Sequence, residues 1–119
     1  MPFLNDRQRS ACCLLMLEQL NMEKLWQRNT ALGETGPAPE ASKALNDIQV
    51  GKFCRLSSGE RIWLRTVFDF WDGTGQAPIY ELMNRLEQPL LDMVGQLLSA
   101  LAQPNSAAID KWLNDWRAG

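Results

Sequence analysis

Three cysteines, one close pair of aspartates and one short basic run are the side chains whose types and spacing could do chemistry. Cys12, Cys13 and Cys54 could act as nucleophiles or metal ligands, since the thiolate is both. Asp69 and Asp72 could divide acid and base duties as paired carboxylates. Lys52, Arg55, Arg61 and Arg65 stand against Glu60 alone over residues 52–65, whereas residues 66–119 carry three basic and seven acidic side chains.

Each chemical reading meets a plainer one. The chain has no histidine, so Ser-His and Cys-His pairs are excluded, and the commonest metal ligand is missing. None of the four lysines belongs to an S-x-x-K motif. At helical spacing Asp69 is expected to pair with Arg65 four residues before it, and Asp72 to serve the turn that follows. Cys12 and Cys13 sit in the apolar run Ala11–Leu17, where a thiol behaves as a small hydrophobe. Cys54 lies near Lys52 and Arg55, which would activate it if exposed, but a buried structural thiol is the expected state.

Asp72-Gly73-Thr74-Gly75 resembles a fragment of a calcium loop but fails its spacing. With Gly75 or Gly73 at the sixth position, the first ligand would be Phe70 or Phe68. No phosphate-binding glycine motif is present, so a helix-ending turn with glycines at positive φ is expected here. Catalytic, cofactor and metal sites are therefore all read as none.

Two features remain as candidates for binding. Arg61 and Arg65 share a helix face at i, i+4 and, with Arg55, could meet phosphates or an acidic protein surface. A solvated face is the alternative. Reversing the charge at 61 and 65 is expected to weaken a complex and leave stability nearly intact. Five tryptophans occur in 119 residues. Trp112 and Trp116 lie four apart near the C-terminus, and Trp is enriched at interface hot spots. They are read as apolar anchors of a docking or dimer surface, with simple closure of the bundle as the alternative.

The elements that must position these residues are helical. A length of 119 residues with 45% hydrophobic and 22% charged side chains suits one globular domain over residues 1–119. Apolar residues at three- and four-residue steps predict one long helix or two short ones from Asn5 to about Asn29, with Asn5 or Asp6 as cap. Gly33 ends that pattern, and residues 33–40, GETGPAPE, predict a loop, the most mobile part of the interior chain. A short helix follows, with Ala41, Leu45 and Ile48 on one side and Gly51 weakening its end.

Ser57-Ser58-Gly59-Glu60 fits a capping box ahead of a helix from Glu60 to Trp71. That helix is apolar nearly all round and is expected to be the central element. A helix from Ala77 or Pro78 to Glu87 carries Ile79, Leu82, Met83 and Leu86. Pro89 ends that helix or kinks it, and Leu90, Leu91, Val94, Leu97, Leu98 and Leu101 make a second stripe. After Pro104, Asn105 or Ser106 caps a last helix with Ile109, Trp112, Leu113 and Trp116 in register. No window alternates as a strand would. The expected fold is an all-α, compact single-domain bundle of five or six helices with a Gly/Pro loop near residues 33–40.

A net charge of −2 exerts no global pull toward nucleic acid or anionic membrane. No stretch approaches the ~20 apolar residues of a membrane span. The apolar run behind Arg7 and Arg9 is too short for a secretory leader, and unpaired cysteines suit a reducing cytoplasm. These readings converge on a cytoplasmic, non-enzymatic protein-interaction module: a small adaptor, regulator or inhibitor of a larger complex, of a profile common among phage and mobile-element proteins, with a homodimer as one form. The alternative is a nucleic-acid-binding regulator using the basic segment 52–65.

Overall fold

The computed structural model describes residues 6–29, 34–52, 54–103 and 107–118. It is an all-α bundle of six helices with one two-stranded ribbon: α1 (Asp6–Glu18), β1 (Trp26–Asn29), β2 (Glu34–Pro37), α2 (Pro39–Gln49), α3 (Ser58–Trp71), α4 (Ile79–Arg85), α5 (Gln88–Leu101) and α6 (Ala107–Ala118). α1 packs against α3 on one side and α6 on another, α5 packs on α6, and α2 and α4 flank α3. α1 and α3 therefore bury more than one face. Cys12, Cys13, Met16 and Leu17 of α1 and Trp63, Leu64 and Val67 of α3 are all fully enclosed. Trp63 donates its indole N–H to the Met16 carbonyl at 2.6 Å, which satisfies the single polar atom of that large buried ring.

The first helix stops well short of Asn29. Asn21 adopts the left-handed conformation with φ 57°. Around it, Met22 N–H donates to Leu17 O and Asn21 N–H to Glu18 O, the paired bonds of a Schellman stop with Asn where Gly is commoner. A single 3₁₀ turn, Glu23–Leu25, leads into β1.

β1 and β2 correct the expectation that no strand exists and that residues 33–40 form a loop. They pair antiparallel, Trp26 opposite Pro37 and Gln27 opposite Gly36, and Ala38 N–H continues the ladder to Leu25 O at 2.8 Å. Four-residue strands of this composition have little intrinsic stability. Contacts distant in sequence hold them in place. Trp26 is buried, meets Trp71 edge-on at 5.1 Å between ring centroids, and donates to Ser10 Oγ at 2.8 Å. The Arg9 guanidinium stacks over the Trp71 ring at 4.4 Å. Gly33, read as a helix stop, and the caps Asn5, Asn105 and Ser106 lie outside the described residues.

The remaining helices follow their patterns more closely. α2 ends in a second Schellman stop at Gly51, φ 77°. α3 begins in the anticipated capping box: Ser57 Oγ accepts from Glu60 N–H, and Glu60 Oε1 accepts from Ser57 N–H. Pro89 stands in the first turn of α5, which buries Leu90, Met93, Val94, Leu97 and Ala100. α6 closes the bundle with Ile109, Trp112 and Leu113. Among the described residues no helix is long and apolar enough to cross a membrane.

Candidate interaction surface

The segment joining α3 to α4 is bound unusually closely to α3. Gly73 takes a positive φ of 78°, as expected of a helix-ending turn. Gly75 is required for a different reason: a Cβ there would lie 1.7 Å from the Arg65 carbonyl oxygen and 2.9 Å from Asp69 N. Only a residue without a side chain allows the segment to run this close to the helix.

Arg65 and Asp69 clasp the same segment in place of pairing with each other. Arg65 Nε donates to Gly75 O at 3.1 Å and its Nη2 to Gln76 O. Asp69 accepts from the N–H groups of Gln76 at 2.9 Å and Ala77 at 2.8 Å. Asp72 accepts from Thr74 N–H and Oγ1, as suits a turn residue. Gln49 of α2 donates to Thr74 O at 2.6 Å. The expected Arg65–Asp69 ion pair is thus replaced by two backbone clasps. Reversing the charge at Arg65 would remove its half of this clasp, so the variant bears on the fold as well as on the surface.

The clasp fixes α4 beside α3, and an open groove of about 240 Å³ forms where α2, α3 and α4 meet. Arg61, Arg65 and Arg85 line it together with Ile48, Ile62 and Glu81. Arg61 is oriented by donation from its Nε to Leu56 O at 3.0 Å. Arg55 is exposed in the α2–α3 connection and does not line the groove. Arg85 was missed from the sequence because it belongs to a predominantly acidic stretch, and only the α3–α4 packing carries it to the other arginines. Its spacing four residues after Glu81 was the available signal.

α4 exposes most of its apolar stripe. Of its four apolar stripe positions, Leu82 alone is buried within the helix, with Leu86 just beyond it. Ile79 is 71% exposed, Tyr80 79% and Met83 63%. At about 100° per residue, these three lie on one flank of α4, and Glu81 and Arg85 lie on the other.

The C-terminal tryptophans occupy different environments. Trp112 is 3% exposed and donates to Met93 O at 3.0 Å, so it seals α6 onto α5. Trp116 is half-buried and donates to Gln96 Oε1 at 3.1 Å. The open groove beside them contains the Lys111–Asp115 pair at 2.7 Å, whose charges offset each other.

All three cysteines are free thiols and buried. Burial pushes the Cys12 thiol up from 9.0 to about 12, and the Cys13 thiol higher still, with its neighbour Cys12 adding to the effect. Cys13 is further occupied as a donor to Val67 O at 3.7 Å. Neither thiol is poised for nucleophilic or metal chemistry. The chain matches no protein-family model, no curated protein and no solved structure.

Proposed function

We propose that this chain is a non-enzymatic protein-interaction module, a small adaptor, regulator or inhibitor of a larger complex acting in the cytoplasm, and that α4 is its principal contact element. The observation that carries this reading is the exposure of Ile79, Tyr80 and Met83 on a seven-residue helix. Large apolar side chains gathered on one flank of a single element are the composition of an interface centre and not of an ordinary solvated surface. Trp116 is a secondary contact at the other end of the fold, and Trp112 supports it from the core.

A nucleic-acid-binding role would use Arg61, Arg65 and Arg85 but would leave the apolar flank of α4 without a partner. The test is affinity capture from nuclease-treated host lysate, comparing the natural chain with an Ile79→Ser, Tyr80→Ser, Met83→Ser variant and a Lys111→Glu control. A stoichiometric protein held by the natural chain and the control, and lost by the α4 variant, is the expected result. Equal capture by the α4 variant, or capture that vanishes with nuclease, overturns the reading.

A further inference from the structure

We propose that the groove between α3 and α4 is a carboxylate-binding subsite, and that its occupant is an acidic segment of a partner protein in which Asp or Glu flanks an apolar residue. This rests on the interaction reading above and names the chemistry of the partner. Three arginines line one opening, and among the described residues Glu81 is the single acid that lines it. None of the four forms an ion pair among the described residues, where Lys111–Asp115 is the pair observed. The groove therefore carries uncompensated positive charge in a chain whose net charge is −2.

Two of the three guanidinium groups are also pre-aligned. Arg61 is held through Nε by Leu56 O, and Arg65 through Nε and Nη2 by Gly75 O and Gln76 O. Neither Nη of Arg61 and no nitrogen of Arg85 is bonded among the described residues. Fixing the head group beforehand reduces the ordering entropy that weakens most surface ion pairs. A planar fork with free N–H groups matches a carboxylate bidentately.

The lining decides between anions. Ile48, half-buried, lines the groove beside the arginines, with the buried Ile62 beneath it. A peptide can set an apolar side chain there while its carboxylates meet Arg61 and Arg85. A sugar–phosphate backbone has nothing apolar to place.

The experiment is fluorescence anisotropy on the intact chain. The probes are labelled peptides in which two Glu flank a Leu at each helical spacing, the same peptides with Gln for Glu or with Lys for Glu, and a labelled single-stranded DNA 20-mer. Saturable binding of a Glu peptide, roughly tenfold weaker for its Gln counterpart, is expected. Arg85→Glu, at an exposed position whose side chain makes no bond among the described residues, should lose roughly tenfold for the Glu peptide and gain affinity for the Lys peptide. Equal binding of Glu and Gln peptides, indifference to Arg85→Glu, absence of saturable peptide binding, or tighter arginine-dependent binding of the DNA each overturns the proposal.

Lysate capture separates this inference from the reading it rests on. Loss of the partner with the α4 triple variant but not with Arg85→Glu removes the carboxylate subsite and leaves the interaction module. Retention with both removes the two together.

Discussion

At the scale of single residues, the strictest demands fall on backbone and thiols. Gly75→Ala would drive a methyl group into the Arg65 carbonyl at 1.7 Å, and helix backbone cannot move aside as a side chain can. Destabilisation of about 3 kcal/mol or more is expected, at or above the usual range for overpacking. Gly95→Ala provides the opposite sign, because its Cβ would meet nothing within 4 Å in the middle of an exposed helical turn. A gain of about 0.5–1 kcal/mol is expected there. Urea unfolding of both variants checks the pair, and equal effects would mean the segment does not lie against α3. The thiols make a pH prediction. Cys12 ionises near 9.0 when exposed and about 12 when folded, so above pH 9 the unfolded chain releases protons that the folded chain retains. Stability is therefore complete below pH 9 and declines as pH rises from 9 toward 12, Cys13 acting in the same direction. Cys12→Ala with Cys13→Ala should flatten that decline in denaturant titrations across the alkaline range, whatever it does to stability at neutral pH.

At the scale of elements, what could be read from sequence was what depended on neighbours in sequence. α2, α3, α5 and α6 follow their apolar spacing, and the capping box at Ser57 and Glu60 was visible because its partners are three residues apart. The end of α1 was not, because its stop is an asparagine and not a glycine. Asn21→Ala tests that assignment: an alanine tolerates φ 57° poorly, and about 1 kcal/mol of stability should be lost, whereas Asn21→Gly should lose little. Equal tolerance of both in thermal melts would refute the Schellman stop. The ribbon of β1 and β2 was hidden for a different reason. Gln27, Gly36 and Pro37 offer no alternation, and the strands exist because Trp26 reaches Trp71 and Ser10. α4 shows the converse failure. Its period was right, but periodicity reports a shared face without saying whether anything covers it, and Ile79 and Met83 remain uncovered.

At the scale of the whole molecule, the groove brings together arginines of two helices, Arg61 and Arg65 of α3 and Arg85 of α4, where the sequence shows only a local basic segment. Arg55 was included because it is near in sequence, and Arg85 was omitted because it is far. The groove that results sets a ceiling on how strongly salt can act. Each phosphate neutralised contributes about 0.9 to the slope of log affinity against log salt, or about 0.7 on single strands. Three arginines therefore permit a fall of at most about 40-fold between 50 and 200 mM salt on duplex DNA. A nucleic-acid reader with six to ten phosphate contacts would lose about 10³- to 10⁵-fold over the same range. A carboxylate-bearing protein seated across the apolar flank of α4 should lose less than either, because apolar burial is indifferent to salt at these concentrations and only the arginine contacts are screened. Affinity of the captured partner, measured by calorimetry across that range, is expected to fall by no more than about tenfold. A steeper fall than three charges can supply would require basic side chains beyond this groove, and would move the partner from protein to polyanion.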